Sequence, residues 1–219
     1  MTNSHTSGEA VRGRDQRGFT LVELLVVMLI FGIIMTVIMT IVIRVSYSAA
    51  DNMARASQVQ NAELGLMQID RQVRSGNVIL DPANEDSEHS DVPEGYSLRV
   101  FTQTDGVHQC VQWRVRLDPA TDRGALEYRS WDPDWRSLGM TPDEWATVAR
   151  DLVPNPSGNP PFARAGTSTG DDATSSVDVT IFVQAERTRS APTAVSTTLT
   201  GRNTIYGYPI DRCDDVPDP

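Results

Sequence analysis

The sequence predicts an α+β fold, in which a long N-terminal helix, membrane-spanning in its first half, packs on an antiparallel β-sheet domain. The run Leu21–Ile43 is apolar except for one carboxylate, and it exceeds the roughly 20 residues that span a bilayer as a helix. The second half of the chain contains short runs that alternate apolar and polar residues, as half-buried strands do. With 219 residues, the chain is long enough for such a domain and its anchor.

The N-terminal region has the charge pattern of a membrane anchor. Arg12, Arg14 and Arg17 directly precede the apolar run, which places this end on the cytoplasmic side and the bulk of the chain outside. A cleaved secretory signal also begins with basic residues, but its apolar part is usually about 7–15 residues long. The longer run favours a spanning helix over residues 19–45.

The carboxylate in this run is Glu23, only two residues past Leu21. An ionised carboxylate in hydrocarbon costs at least a few kcal/mol, so such a residue usually has a partner and a function. Alternatively, Glu23 lies at the membrane edge and its side chain extends to water. The chemistry of the residue alone leaves both interpretations open.

The stretch Gly18-Phe19-Thr20-Leu21-Val22-Glu23 resembles the leader junction of type IV pilins and the pseudopilins of type II secretion. The resemblance implies that a prepilin peptidase cleaves after Gly18, removes residues 1–18 as a leader and methylates the new amino terminus at Phe19. It also implies that Glu23 pairs during assembly with the charged amino terminus of a neighbouring subunit. Opposite charges attract far more strongly in a low dielectric than in water.

One departure from the family pattern concerns the helix itself. Major pilins commonly carry a helix-breaking proline a little past twenty residues into the mature chain, and Thr40 stands at the corresponding position. No proline occurs between Phe19 and Leu80, so the helix has no such weak point. The absence favours a minor subunit.

The resemblance implies a structural, non-enzymatic protein. The expected function is that of a minor pilin or pseudopilin, which helps to initiate or cap a filament used for adhesion, motility, DNA uptake or secretion. The expected partners are other pilin or pseudopilin subunits, the prepilin peptidase and the cytoplasmic membrane, and the protein would then lie in an extracellular or envelope filament. The alternative is a single-pass membrane protein whose outer domain binds a ligand independently of any filament.

Residues 46–76 predict an amphipathic continuation of the helix to about Ser75, with Gly76 as the stop signal. Apolar residues recur at spacings near three, four and seven, which makes one face of a helix. This stripe should pack against the globular part, residues 77–219. It consists of Val45, Ala49, Met53, Ala56, Val59, Leu66, Ile69 and Val73.

The remainder of the chain is expected to form mainly antiparallel strands. In Val107–Leu117, the odd-numbered positions are mostly apolar and the even-numbered positions polar, so one face should be buried and the other exposed. The other expected strands are Tyr96–Phe101, Ala125–Trp131, Val177–Val183 and Ala194–Ile205.

A short helix and two long loops complete the predicted domain. Thr141-Pro142-Asp143-Glu144 has the form of a capping box with proline at the first helical position, which predicts a helix running to about Leu152. The acidic stretch Asn84–Glu94 and the stretch Val153–Ser176, rich in Pro, Gly, Ser and Thr, are predicted to be loops.

The two cysteines, Cys110 and Cys213, both lie well beyond the apolar run. If this part is exported, they are a candidate disulfide that closes a loop of roughly 100 residues and contributes about 4–5 kcal/mol on the chain-entropy model. Two unpaired thiols are the alternative.

Little else in the sequence indicates a chemical function. The net charge of −10 disfavours a nucleic-acid partner, because backbone binding needs clustered cations. Calcium is a candidate ligand of the acidic stretches Asn84–Glu94 and Asp211–Asp218, although neither has the spacing of a calcium loop and solvating charge explains both. No catalytic motif stands out among the histidines. The tryptophans Trp131, Trp135 and Trp145 are candidates for an adhesive aromatic surface, although buried packing is the commoner role of tryptophan.

Overall fold

The computed structural model describes residues 19–85, 90–103, 106–165, 172–185, 191–202, 204 and 207–218. The chain divides into two compact units, of which the first ends at Ser48 and the second begins at Ala49. The first element, helix α1, comprises Leu21–Ser75. The predicted helix is therefore confirmed, with its N-terminus displaced by two residues.

In the first unit, α1 exposes every large apolar side chain, with fractions from 44% at Met35 to 81% at Leu21. By length and composition the helix is able to cross a membrane. The hydroxyl groups of Thr36 and Thr40 are satisfied within the helix, because each donates to the carbonyl oxygen four residues earlier at 2.8 Å. Such internal bonding suits a polar side chain to apolar surroundings.

In the second unit, only the last turns of α1 pack on the sheet. Ala62, Leu66, Ile69 and Val73 are buried, and their spacing follows one helical face. The predicted stripe was too long at its N-terminal end, since Val45, Ala49, Met53 and Ala56 are exposed. The spacing of apolar residues along a helix does not indicate how much of the helix the sheet covers.

Helix α1 passes into the sheet without a connecting loop. The helix ends at Ser75 and strand β1, Gly76–Leu80, begins at the next residue. The predicted stop at Gly76 is confirmed, whereas β1 itself was not predicted. A Cβ atom on Gly76 would come within 2.9 Å of both Val100 Cγ1 and the Val73 carbonyl oxygen, so the junction requires glycine.

Among its described residues, the second unit contains one nine-stranded sheet, with short helical segments in the connections. A 3-10 turn comprises Pro82–Asn84, helix α2 comprises Trp135–Leu138, and a second 3-10 turn comprises Ile210–Cys213. The remaining strands are β2 (Ser97–Thr102), β3 (Gln109–Asp118), β4 (Arg123–Trp131), β5 (Ala146–Val153), β6 (Phe162–Arg164), β7 (Ala173–Thr174), β8 (Ser176–Val183) and β9 (Thr193–Thr200).

All strand pairings in the sheet are antiparallel. The order is β6-β8-β5-β4-β3-β2-β1-β7, and β9 pairs with β8. The four strands predicted from alternation are all present, as β2, β4, β8 and β9, and the alternating run Val107–Leu117 corresponds to β3. The end of the predicted strand at Ile205 lies outside the described residues.

Two loop and helix predictions were wrong. The segment after Thr141 forms β5 rather than a helix, because Ala149 and Leu152 are buried where β5 pairs with β4. Asp143 of the presumed capping box instead bonds Ser130, through its side chain and through its backbone N–H. The predicted loop Val153–Ser176 contains the short strands β6 and β7.

Both faces of the central strands are covered. On the first face, Trp113, Leu98 and Leu126 form the main core with the buried side of α1. On the second face, a smaller apolar cluster contains Phe101, Trp131 and Val216, which lies near the C-terminus. The prediction that the polar face of β3 is exposed was therefore wrong over most of the strand.

Candidate functional site

The helix starts at a threonine that acts as its N-cap. Thr20 Oγ1 accepts a hydrogen bond from the backbone N–H of Glu23 at 3.3 Å, and the Thr20 carbonyl accepts one from Leu24 at 3.2 Å. A side-chain oxygen at this position satisfies one of the N–H groups that a helix start leaves unpaired. This role of Thr20 was not predicted, although Thr-x-x-Glu is the pattern of a capping box.

Glu23 lies in the first turn of α1 and is exposed. The positive end of the helix dipole favours a carboxylate at this position. Among the described residues, no hydrogen bond or ion pair reaches its carboxylate group, so the helix supplies no countercharge of its own. In an apolar environment, such a group needs a partner from elsewhere.

The residues expected at the processing junction flank this first turn. Phe19 is 80% exposed and precedes the helix, while Gly18 lies outside the described residues. Phe19 and Thr20 lie outside regular secondary structure, and the helix begins at Leu21.

Cys110 and Cys213 form a disulfide, with their Cα atoms 5.7 Å apart and a sequence separation of 103. Cys110 lies in β3 and Cys213 in the C-terminal 3-10 turn, and both are buried in the smaller apolar cluster. The bond holds the C-terminal segment, residues 207–218, against the second face of the sheet.

A buried polar layer lies beneath that segment, with Arg129 of β4 at its centre. Its guanidinium donates to Gln112 Oε1 at 3.0 and 2.8 Å, to the Asp218 carbonyl at 2.8 Å and to the Pro217 carbonyl at 2.9 Å. Burial, assisted by the nearby positive charge of Arg114, lowers the pKa of Arg129 to about 10. The side chain therefore stays charged at neutral pH and is fully hydrogen-bonded, as a buried charge requires.

Two further arginines connect this layer to loops. Arg99 Nε pairs with Glu85 Oε2 at 3.2 Å, and Arg99 Nη1 donates to the Cys213 carbonyl at 2.7 Å. Arg114 Nη1 donates to the Ser90 carbonyl at 3.0 Å, and Arg114 Nε pairs with Glu127 Oε2 of β4 at 2.7 Å. Because each of these charges is paired, the layer orders the fold and leaves little charge for an external ligand.

The three tryptophans suggested for an adhesive surface contact arginines of the same chain. The guanidinium carbon of Arg114 lies 3.8 Å from the ring centre of Trp145, and that of Arg129 lies 4.4 Å from it and 5.5 Å from Trp131. Trp135 donates to the Asp215 carbonyl at 2.8 Å. These cation–π and hydrogen-bond contacts make the tryptophans part of the cover over the polar layer.

The acidic stretches meet at a polar pocket of about 220 Å³ that Asp81, Glu85, Asp172 and Asp214 help to line. Asp81 pairs with Arg164 at 3.0 Å, and the Glu85 carboxylate accepts hydrogen bonds from Arg99 and Gln112. Within the described ranges, no group of three or more acidic, histidine or cysteine side chains is arranged to hold a metal ion. Residues 86–89 of the first stretch lie outside those ranges.

The histidines form no catalytic group in the described part of the chain. His108 contacts the ring of Phe101, with ring centres 5.4 Å apart, while His5 and His89 lie outside that part. Two open grooves beside the sheet, of about 460 and 390 Å³, have no histidine or cysteine in their lining. The N-terminal segment remains the candidate functional site.

Comparison with protein families supports that choice. Residues 13–39 match the family model described as the prokaryotic N-terminal methylation motif. This interval contains the Gly18–Phe19 junction, Thr20 and Glu23. Neither the curated proteins nor the solved structures contain a significant match to the chain.

Proposed function

We propose that this chain, which carries the N-terminal methylation motif of the type IV pilin and pseudopilin family, is a minor structural subunit of a type IV pilus-like filament. The motif and the apolar helix indicate a membrane-anchored structural protein that assembles with other pilin subunits and is processed by a prepilin peptidase. The proposal adds the minor role, the orientation and the assembly function of Glu23.

The observation that carries the proposal is the single charged side chain at the start of an exposed apolar helix. From Leu21 to Ile43 the side chains of α1 have no partner surface in the described chain, and Glu23 is their only charge. Burial in a filament core would remove this apolar area from water or lipid, and it would also require a countercharge for Glu23.

The proposed countercharge is the amino terminus that cleavage after Gly18 would create. Cleavage produces a positive amine on Phe19, four residues before Glu23. Within one chain, the helix start already uses Thr20 to satisfy the Glu23 N–H, and the carboxylate is left for a neighbour. In a low-dielectric core, the amine of one subunit and the carboxylate of the next would attract strongly and set the register between their helices.

Orientation and location follow the positive-inside rule. Arg12, Arg14 and Arg17 would hold the leader in the cytoplasm, and the domain from residue 77 would lie outside the membrane. Such a domain would be exported to an oxidising compartment, where the Cys110–Cys213 disulfide is stable. After cleavage, assembly would move the subunit from the membrane into an envelope or extracellular filament.

Mass spectrometry of the mature amino terminus tests the proposal. We expect a mature chain that begins with N-methylated Phe19, and we expect Gly18→Val to accumulate as a precursor because the peptidase requires a small residue there. Ser7→Val, in the leader but away from the junction, is the matched control and should be processed normally. An intact leader on the wild-type chain would favour the alternative of a membrane-anchored ligand-binding protein.

A further inference from the structure

Strand β9 forms a free edge of the sheet. In the part of the chain that the structure describes, β9 pairs only with β8, in unbroken register from Ser176↔Thr200 to Val183↔Thr193. On its other side, β8 pairs with β6 and β5. The outer side of β9 therefore presents unpaired backbone groups.

The pairing shows which groups these are. Gly201 N–H donates to the Ser175 carbonyl at 3.0 Å, so this pair is hydrogen-bonded, and hydrogen-bonded pairs alternate along an antiparallel ladder. Odd-numbered residues of β9 consequently point their backbone groups toward β8, and even-numbered residues point theirs outward. The outward set consists of Ala194, Ser196, Thr198 and Thr200.

The opposite side of β8 supports this assignment. Thr180 N–H donates to the Pro161 carbonyl at 2.8 Å, and the Ser176 carbonyl accepts from Ala165 N–H at 3.0 Å. Even-numbered residues of β8 thus point away from β9, as the alternation requires.

This edge carries none of the usual protection against strand addition. Natural edge strands are commonly short, bulged, or interrupted by proline or charged residues. Strand β9 has eight residues, no bulge in its pairing, and the sequence Thr-Ala-Val-Ser-Thr-Thr-Leu-Thr without charge or proline. The chain has a net charge of −10, whereas β9 itself is uncharged. The strand therefore does not repel another subunit electrostatically.

A groove runs beside the edge, between β9 and the second half of α1. It has a volume of about 390 Å³ and is lined in part by Leu66, Met67, Val195 and Leu199. Met67 is 66% exposed and the adjacent Leu64 is 55% exposed. A strand added to β9 would place every second side chain over this groove, where apolar residues would bury the exposed part of Met67.

We propose that the outer edge of β9 binds an extended segment of a different pilin-like subunit as an additional antiparallel or parallel strand. The inference rests on the proposed function, because the partner is a neighbouring filament subunit. Main-chain hydrogen bonds to the outward residues hold the segment, and apolar side chains at alternate positions enter the groove. The side chains of this segment that lie beside Ala194, Ser196 and Thr198 are uncharged, as those three side chains are.

The groove disfavours a second copy of this chain as the occupant. Glu63, Asp70 and Arg74 line the groove, and because Asp70 pairs with Arg74 at 2.7 Å, Glu63 leaves the groove of each copy with a net negative charge. Both copies also carry a net charge of −10. Like charges opposed in this way weaken self-association.

Hydrogen exchange measures the proposed bonds directly. The full chain in detergent is compared with the same chain in assembled filaments, residue by residue in β9. We expect the amides of Ala194, Ser196, Thr198 and Thr200 to exchange quickly in detergent and at least about tenfold more slowly in filaments. Equal exchange in both states overturns the proposal.

Substitutions at one outward residue provide the genetic test. Ser196→Pro removes an outward N–H, which an edge strand tolerates, while Ser196→Thr keeps it. We expect incorporation into filaments to fall at least about fivefold for Ser196→Pro relative to Ser196→Thr, the effect of roughly one lost hydrogen bond. If Ser196→Pro does not fold, Ala194→Lys, which charges the edge and keeps the N–H groups, should show the same loss.

A photo-cross-linker at Ser196 identifies the occupant in purified filaments, with Thr147 as the exposed control position on another strand. A cross-link from Ser196 to an extended segment of a different subunit supports the proposal, whereas a cross-link to β9 of a second copy overturns it. Failure of the wild-type chain to enter filaments refutes the proposed function and this inference together. Normal incorporation of both the Ser196→Pro and Ala194→Lys variants refutes the inference alone.

Discussion

Glu23 matters because nothing in the described chain neutralises it. Glu23→Gln retains nearly the same shape and removes the charge, so the helix should still insert while losing its attraction to a neighbouring amine. We expect the membrane-bound amount to stay unchanged and incorporation into filaments to fall at least about tenfold, as the loss of about 1.4 kcal/mol or more would produce. Immunoblots of membranes and of sheared filaments measure the two quantities.

Thr36→Val is the matched control for this experiment. Its hydroxyl is satisfied within the helix, so its removal should change neither quantity. Normal incorporation of both Glu23→Gln and Glu23→Ala would exclude the charge-pairing role.

Arg129 is the residue on which the polar layer depends. Arg129→Lys cannot reproduce its simultaneous bonds to Gln112 and to the carbonyls of Pro217 and Asp218, because lysine lacks the planar fork of donors. We expect the free energy of unfolding to fall by about 2–4 kcal/mol in urea denaturation of the full chain.

Arg150→Lys is the corresponding exposed change in β5, and it should alter the free energy of unfolding by less than about 0.5 kcal/mol. If Arg129→Lys and Arg150→Lys lower the free energy of unfolding equally, the hydrogen bonds that Arg129 makes in the buried polar layer do not stabilise the fold.

Glu23 and Arg129 show which features could be predicted from the sequence and which could not. Glu23 and its neighbours form a local motif, so the candidate site could be identified from a short stretch of sequence. Gln112 lies on the polar face of the alternating run Val107–Leu117, and Arg129 lies in a predicted strand to which the sequence assigned no buried face. These residues are buried because the distant segment 207–218 and its disulfide cover them. The residue pattern within β3 or β4 does not predict that contact.

The strand elements show a second limit. In β5, the pairing with β4 shifts register twice, and Asp151 adopts a positive φ of 61°. These irregularities leave the buried residues Ala149 and Leu152 three positions apart, which is helical spacing. The capping-box pattern alone predicted a helix there, whereas β3 and β8, whose pairings show no register shift, were predicted correctly.

The hairpin between β3 and β4 depends on one glycine. A Cβ atom at Gly124 would overlap the Arg116 carbonyl oxygen, so Gly124→Ala must displace backbone in the centre of the sheet. We expect a loss of about 2 kcal/mol or more in the free energy of unfolding, followed by intrinsic fluorescence in urea.

Gly65→Ala provides the contrast within α1. Its Cβ would meet the flexible end of Leu126 at 2.8 Å, and alanine favours the helix by about 1 kcal/mol over glycine. The net change should therefore be smaller than at Gly124. A larger loss at Gly65 would mean that the helix–sheet contact is more rigid than the β3–β4 hairpin.

At the scale of the whole chain, the Cys110–Cys213 bond joins positions 103 residues apart. Replacing both cysteines by alanine removes the constraint on the unfolded chain, which the entropy model values at about 4–5 kcal/mol. Limited proteolysis should then cut the C-terminal segment, residues 207–218, before the rest of the domain.

Replacing Cys213 alone should destabilise the domain by a similar amount. If neither the single nor the double variant becomes more sensitive to protease, then the bonds from Arg99, Arg129 and Trp135 hold the segment without the disulfide.

The direct passage from Ser75 to Gly76 has a mechanical consequence. Because no extensible linker separates α1 from β1, tension on the helix reaches the sheet through a single peptide bond. Strand β1 is paired on both sides, with β2 and β7, so the first element loaded is anchored by two hydrogen-bonded ladders. One inserted residue at this joint would turn all that follows by about 100° relative to the helix. The junction therefore fixes rotational phase as well as transmitting force.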